Sequence, residues 1–143
     1  MPHEPIMTVA ELNRFLETDF AELHVDGKVF EVSDTGAGYA TMRFAPQSRH
    51  MRPGGTVSGP TLFALADVTA YVALLANIGP VALAVTTNLN INFLRKPPLG
   101  PLECKATILK LGKRLAVLEA AIYPVGEDDL VAHATTTYSI PPR

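Results

Sequence analysis

Apolar residues recur at helical spacing near the start of the chain, directly after a helix-start signal. Thr8 and Glu11 stand three positions apart, which is the spacing of a capping box. The apolar positions that follow are Leu12, Phe15 and Leu16. We therefore predict an amphipathic N-terminal helix over residues 8–18.

The spacing changes to a period of two in residues 28–46, on either side of the run Asp34-Thr35-Gly36. Alternation around such a run predicts a hairpin of two antiparallel strands that turns at residues 34–36. Residues 47–60 are polar and rich in Gly and Pro, so we interpret them as a loop that leads to the next helix.

The second helix is predicted over residues 58–78, a long and almost wholly apolar run. Ser58 or Gly59 is the expected N-cap, Pro60 suits the first turn, and Gly79-Pro80 ends the helix. Apolar or small residues cover nearly its whole circumference, which is typical of a helix buried on most sides. The rest of the chain should therefore wrap around it.

Asp67 is the only charged residue between Pro53 and Leu94. A membrane span is one interpretation of so apolar a run. However, a carboxylate near the centre would cost about 3 kcal/mol on insertion, and Gly79-Pro80 interrupts the run, so we favour a core helix. A charge inside a buried helix then needs a partner or a task.

Four strand-like segments complete the chain, at residues 81–97, 100–113, 114–126 and 129–142. In the first of them, odd-numbered residues from Val85 to Phe93 are mostly apolar. The even-numbered ones form an opposite, amide-rich face: Thr86, Asn88, Asn90 and Asn92. The whole pattern predicts a single α+β domain of 143 residues, an antiparallel sheet wrapped around one long central helix.

Composition narrows the function classes. The formal net charge is −2, which gives no electrostatic case for nucleic acid or for an anionic membrane surface as a partner. The single cysteine, Cys104, excludes an internal disulfide and a cysteine-rich zinc site, and the four histidines lack metal-ligand spacing. We expect a cytoplasmic protein without a bound metal, since the first 20 residues do not have the pattern of a secretory signal.

Three segments in a particular order resemble the hotdog-fold acyl-CoA thioesterases, and among them the phenylacetic-acid-pathway (PaaI-like) type. These are SGPTLFALAD, LNINFLRKPPLGPLECKATILKLGKR and DLVAHATTTY, and the resemblance covers residues 28–138. It implies a hotdog fold and hydrolysis of a short-chain or aromatic acyl-CoA to the free acid and coenzyme A. Coenzyme A enters as part of the substrate, and no cofactor is implied.

The resemblance also implies roles for residues at the start of the second helix. Gly59 matches the backbone N–H that polarises the thioester carbonyl, and Asp67 matches the carboxylate that activates water or attacks directly. Ser58 stands where the family pattern has His and is therefore a candidate catalytic residue, although an N-cap is the simpler interpretation. Arg52 stands where relatives carry Asn, and it could substitute together with His50.

Substrate binding is expected from residues of the preceding loop and of strand ends. The loop residues Arg52, Gly54 and Gly55 either line the acyl pocket or belong to a flexible loop. The basic residues match positions that bind the coenzyme A phosphates in relatives, or are ordinary solvated charges: Arg95, Lys96, Lys113 and Arg114. In the family, donor and carboxylate come from different chains, so the resemblance implies an obligatory homodimer and favours a homotetramer.

Two other functions stay open. The missing histidine favours a module that binds acyl-CoA or lipid without hydrolysing it. A hotdog enoyl-CoA hydratase is the second alternative, although the chain does not show the sequence signatures of that reaction.

Overall fold

The computed structural model describes residues 4–142, which fold as an antiparallel sheet wrapped around one central helix. The elements, in chain order, are α1 (Val9–Thr18), β1 (Phe30–Gly36), β2 (Tyr39–Phe44), β3 (Met51–Arg52), β4 (Thr56–Val57), α2 (Gly59–Ile78), β5 (Val85–Phe93), β6 (Leu102–Leu111), β7 (Leu115–Pro124) and β8 (Ala132–Ser139). Short 3₁₀ turns span Ala21–His24 and Ser48–His50. The predicted α+β class is confirmed.

Six strands form the main sheet in the order β1-β2-β6-β7-β8-β5, and each neighbouring pair is antiparallel. The hairpin of β3 and β4 is a separate two-stranded sheet. Because α2 packs against every strand of the main sheet, the core lies between this helix and the concave face of the sheet. The strands β1 and β5 are the two edges.

Helix α2 begins and ends where its sequence predicts. The Ser58 hydroxyl accepts a hydrogen bond from the Thr61 N–H, Pro60 lies in the first turn, and Gly79 ends the helix with a φ of 99°. Its length and apolar composition would suit a membrane span, yet 72% of the most apolar stretch is buried inside the fold. This burial is what a core helix requires.

Helix α1 is fixed at its start and on one side. Thr8 and Glu11 form the predicted capping box, with bonds of 2.9 and 3.1 Å. The side-chain amide of Asn13 donates to the Val32 carbonyl at 3.0 Å and accepts from the Val32 N–H at 2.9 Å. It thus pairs with both backbone groups of Val32, as a residue of a neighbouring strand would. Its apolar residues Leu12, Phe15 and Leu16 are buried against the core, so α1 covers one end of the domain.

Two predictions about turns are wrong. The first hairpin turns at Ala37-Gly38 instead of at residues 34–36, because Gly38 takes the left-handed φ of 77° while Asp34 and Thr35 stay paired in β1. The predicted plain loop before α2 contains the β3–β4 hairpin, whose tip is Gly54-Gly55. Two-residue strands are too short to create an alternating pattern.

The prediction that Thr86 lies on the outer, amide-rich face is also wrong. Tyr138 is opposite Thr86 and Thr137 is opposite Asn88, so a bulge at Thr87 shifts the register of β5 by one residue. Thr86 therefore shares the inner face with Leu89 and Ile91. The amide side chains of Asn88, Asn90 and Asn92 do lie on the exposed outer face, as predicted.

Candidate active site

The Asp67 carboxylate lies half-buried in the middle of α2 and is held by two hydroxyl groups. Thr86 on β5 and Tyr138 on β8 both donate to Asp67 Oδ1, each at 2.7 Å. The Tyr138 oxygen is also 2.9 Å from the Asp67 backbone carbonyl oxygen. The partners of this charge are therefore strand hydroxyls, and Asp67 forms no ion pair with Arg52 or with any other residue among residues 4–142.

Tyr138 is a neutral donor. Its side chain is 2% exposed. Burial, reinforced by the charge of Asp67, raises the pKa of Tyr138 well above its ordinary value. The Tyr138 ring stacks on Tyr71 with centroids 6.2 Å apart, and Tyr71 in turn meets Phe20 edge to face at 5.9 Å. An aromatic cluster thus extends from the end of α1 to the carboxylate.

A cavity of about 380 Å³ lies beside Asp67. Its lining is apolar and aromatic apart from two carboxylates and two strand hydroxyls: Asp19, Phe20, Asp67, Val68, Tyr71, Ala82, Ala84, Val85, Thr86 and Tyr138. The Tyr71 hydroxyl donates to the Ala82 carbonyl at 3.0 Å. Burial, followed by the charge of Asp19, raises the pKa of Tyr71, so this tyrosine is neutral as well.

A second cavity, of about 420 Å³, lies at the N-terminus of α2. Gly59 is the first residue of the helix, so its N–H has no intrahelical acceptor and adds to the positive end of the helix dipole. A Cβ atom on Gly59 would stand 3.3 Å from Phe93 Cζ. Glycine therefore keeps this N–H approachable from the cavity, beside Arg52, Arg95 and Lys96.

The two cavities lie at different levels of one helix, one at its N-terminus and one beside its middle. Gly59 and Asp67 are eight residues apart on α2, which separates them by about 12 Å along the helix axis. Of these two cavities, Gly59 lines the second and Asp67 lines the first. Within one chain, the Gly59 N–H and the Asp67 carboxylate therefore do not face the same cavity.

Ser58 and His50 have structural partners. The Ser58 hydroxyl lies 2.8 Å from the Thr61 hydroxyl and accepts from the Thr61 N–H, so it caps α2. The His50 ring packs edge to face on Phe44 at 4.8 Å, and its Nδ1 accepts from the Gln47 N–H at 2.8 Å. Burial, with the charge of Arg49, lowers the pKa of His50. Its ring does not line the Gly59 cavity, and its substitution for the family residue stays a prediction.

The basic residues form two groups at opposite ends of β5. Arg52, Arg95 and Lys96 line the Gly59 cavity, and Arg95 also donates to Glu127 and to the Asp129 carbonyl at 3.1 Å each. Lys113 and Arg114 lie in the β6–β7 turn next to Pro141 and Pro142. The Gly54-Gly55 tip lines neither the Asp67 cavity nor the Gly59 cavity.

The turn of Lys113 and Arg114 belongs to the Asp67 end of the sheet. Leu115 pairs with Ser139, and Val85, which lines the Asp67 cavity, pairs with the same residue. Within residues 4–142, no cluster of three or more His, Cys, Asp or Glu side chains is placed to hold a metal ion.

Sequence reasoning did not identify Thr86 and Tyr138. The alternating pattern placed Thr86 on the wrong face, because a one-residue bulge leaves no mark in composition. Tyr138 could have been found, because it continues the alternation of inward-facing residues along β8 that begins with Ala132, Ala134 and Thr136. A hydroxyl group among the inward-facing residues of a strand is a candidate hydrogen-bond partner for a buried charge.

Comparisons with known proteins agree on one family. The family model of the thioesterase superfamily matches residues 54–131, a segment that includes Gly59, Asp67 and Thr86. A solved candidate thioesterase from Silicibacter sp. is 46% identical, with a TM-score of 0.86, over 97% of this chain and 95% of that chain. This fold match confirms the predicted hotdog arrangement.

Two more distant relatives carry related names. The solved structure of a variant of the phenylacetic acid degradation protein PaaI from Thermus thermophilus is 26% identical, with a TM-score of 0.70. It covers 86% of this chain and 99% of that one. A candidate esterase of Saccharolobus solfataricus is 29% identical over 136 residues, which are 95% of this chain and 87% of that protein.

Proposed function

The chain belongs to the thioesterase superfamily and is a thioester hydrolase, and on that premise we propose that it cleaves a short-chain or aromatic acyl-CoA to the free acid and coenzyme A. One observation carries the proposal. Asp67 is tied to Thr86 at one end of the edge strand β5, whereas Gly59 packs against Phe93 at the other end. Antiparallel pairing of two such strands brings the Asp67 carboxylate of one protomer close to the Gly59 N–H of the other.

The pairing we propose is antiparallel, between β5 of one protomer and β5 of a second copy. The strand is a sheet edge, nine residues long and without a charged residue, so its free N–H and C=O groups suit a further strand. A two-fold axis near Leu89 puts the Thr86 end of one strand beside the Phe93 end of the other, about 4.8 Å away. Each Asp67 then faces the partner's Gly59.

An exposed apolar patch supports the same interface. Phe63 on α2 and Phe93 on β5 are 39% and 53% exposed, and they surround a shallow apolar cavity with Pro60 and Ile91. A protomer paired through β5 would cover this patch, which adjoins the edge. Burying aromatic side chains of this size is a main source of stability in protein interfaces.

The same two-fold symmetry brings the two groups of basic residues close to each proposed active site. Lys113 and Arg114 lie at the Asp67 end of β5, and Arg95 and Lys96 lie at the Gly59 end, so antiparallel pairing brings both groups to each site. A coenzyme A moiety carries several phosphate charges, which basic side chains neutralise. We place Arg52 there too, and we leave Gly54 and Gly55 as the tip of the hairpin that presents it.

The reaction proposed for the paired chains needs no cofactor. The Gly59 N–H and the positive end of α2 polarise the thioester carbonyl and stabilise the oxyanion that develops on it. Asp67 either removes a proton from the attacking water or attacks the carbonyl carbon itself, and the coenzyme A thiolate leaves. We place this reaction in the cytoplasm, in keeping with the single reduced cysteine.

The acyl group is proposed to occupy the cavity beside Asp67. Phe20, Tyr71 and Tyr138 give that cavity aromatic walls, which favour a planar or short acyl group through stacking and burial of apolar surface. The two carboxylates at its lining, Asp19 and Asp67, disfavour an acyl group that carries its own negative charge.

Release of thiol from a panel of acyl-CoA thioesters tests the function. We expect the wild-type protein to prefer short or aromatic acyl groups, and Asp67→Asn to lower the rate at least roughly a hundredfold without changing the oligomer. Asp26→Asn, a change of the same kind at an exposed turn, is the matched control and keeps full activity. Equal rates for Asp67→Asn and wild type would rule out the proposed mechanism.

One observation favours a second function, binding of acyl-CoA without hydrolysis. Ser58 occupies the position of the family histidine, and its hydroxyl is engaged in capping α2. Calorimetry with a non-hydrolysable acyl-CoA analogue separates the two functions. Saturable binding together with no thiol release across the panel would establish the binding module.

A further inference from the structure

We propose that Tyr138 is a positioning residue for Asp67, which holds Oδ1 by hydrogen bonding and so makes Oδ2 the reactive oxygen. This inference rests on the proposed function. Oδ1 accepts two hydroxyl hydrogens, from Tyr138 and Thr86, both at 2.7 Å. Among residues 4–142 no hydrogen bond is made to Oδ2, which is left to act on water or substrate.

The Tyr138 hydroxyl has one hydrogen and two acceptors on the same residue. Oδ1 is 2.7 Å away and the Asp67 carbonyl oxygen 2.9 Å away. While the carboxylate is ionised, the hydrogen points to Oδ1, which is both nearer and negatively charged. This bond stabilises the form of Asp67 that can accept a proton.

The second acceptor becomes useful after proton transfer. When Oδ2 takes a proton from water, the resulting hydroxide attacks the thioester carbon, and the carboxyl group becomes neutral. Oδ1 is then a weaker acceptor, and the Tyr138 hydrogen can rotate to the carbonyl oxygen without leaving its own oxygen. Tyr138 therefore keeps its proton throughout and does not itself enter the chemistry.

The Tyr138 side chain is well fixed for this role. β8 pairs with β5 on one side and with β7 on the other, so Tyr138 is opposite both Thr86 and Ala116. Its ring stacks on Tyr71, whose own hydroxyl is engaged by the Ala82 carbonyl. Both the backbone and the ring of Tyr138 are thus held, and its hydroxyl stays at Oδ1.

The charged and titratable groups around Asp67 are few. The cavity it shares contains Asp19 from the end of α1, Tyr71 from α2 and Tyr138 from β8, and β5 contributes the neutral Thr86. Both tyrosines are neutral in the mildly acidic range, because burial raises the pKa of Tyr71 and of Tyr138. Neither tyrosine therefore contributes to the acidic limb of the rate profile.

The test is Tyr138→Phe, which removes the hydroxyl and keeps the stacked ring. We expect kcat to fall roughly tenfold at neutral pH with little change in KM, and the acidic limb of the kcat profile to move up by about one pH unit. Tyr39→Phe is the matched control, because Tyr39 donates to Asp34 at 2.9 Å in the exposed β1–β2 hairpin. It should leave both kcat and the acidic limb unchanged.

Thr86 supplies a second, independent pair of variants. Thr86→Val removes the other donor to Oδ1 at nearly constant volume and should also lower kcat, whereas Thr86→Ser keeps a hydroxyl and should restore most of it. Because both donors act on one oxygen, the effects of Tyr138→Phe and Thr86→Val should not be additive.

The outcomes separate the two proposals. If the wild type hydrolyses acyl-CoA and Asp67→Asn does not, but Tyr138→Phe retains wild-type kcat and an unmoved acidic limb, the positioning role is overturned and the function stands. If Tyr138→Phe and Tyr39→Phe lose activity equally, the role is also overturned. A wild-type protein without hydrolase activity overturns both proposals.

Discussion

Cys104 is buried at the centre of the sheet, on β6 between β2 and β7. Burial raises the pKa of the Cys104 thiol to about 12, so the thiolate form is scarce at neutral pH. The only thiol of the chain should therefore be inert while the protein is folded.

Alkylation measures this inertness. We expect native protein at pH 8 to resist iodoacetamide and to be labelled completely once denaturant unfolds it, because the thiolate and its access both require opening of the sheet. Mass spectrometry of samples taken along a denaturant series gives the labelled fraction, and fully unfolded protein is the control. Labelling of the native protein as fast as the unfolded protein would contradict the burial of Cys104.

At the same scale, Asp67 could be found from the sequence and its partners could not. A lone carboxylate inside a 42-residue stretch of otherwise uncharged chain stands out, whatever the fold. Its contact with Thr86 depends on the bulge at Thr87, and its contact with Tyr138 joins residues that are 71 positions apart in sequence. Neither relation is encoded in a local pattern.

Under the proposed function, the start of α2 serves both the stability of the helix and the reaction. Ser58 satisfies the N–H of Thr61, and the N–H of Gly59 is left free. The helix is stabilised by the cap and presents a donor at the same turn. The two tasks fall on neighbouring residues, and they can be separated by mutation.

Ser58→Ala tests the division. We expect the free energy of unfolding to fall by about 1 kcal/mol through loss of the cap, while kcat at a temperature well below unfolding changes less than about threefold. Chemical denaturation and the thiol-release assay supply the two numbers. A loss of activity of a hundredfold or more at unchanged stability would instead make Ser58 a catalytic residue.

Elements with a strong period were predictable, and short ones were not. Both helices and all six long strands appear where spacing and caps predict them, because burial of one face imposes the period. The β3–β4 hairpin has only two residues in each strand, too few for a period. The first hairpin turn needs a residue with positive φ, and either Gly36 or Gly38 could supply it as far as the sequence shows.

For the whole molecule, the separation of Gly59 from Asp67 makes the active site a property of two chains under the proposed pairing. Each dimer then contains two sites, and each site takes its donor from one protomer and its carboxylate from the other. The sequence could suggest this only through family resemblance, since no local pattern of a single chain describes its interface.

Mixing two inactive variants tests the shared site. Gly59→Val blocks the donor, because even a Cβ there meets Phe93 at 3.3 Å, and Asp67→Asn removes the base. Refolded together in equal amounts, they should recover about a quarter of wild-type activity, since half the dimers are mixed and each has one intact site. Mixed dimers seen by native mass spectrometry without any recovered activity would place donor and carboxylate in the same chain.

The absence of charged residues and proline from β5 also affects the tendency of this protein to aggregate. Edge strands of monomeric proteins are commonly interrupted by lysine, proline or a sharp twist, which prevent uncontrolled addition of further strands. From Val85 to Phe93 the chain has none of these residues, and its one bulge lies near the start. Under the proposed pairing, a protomer without its partner exposes a template for aggregation, and mutations that weaken pairing favour insoluble assemblies over a stable monomer.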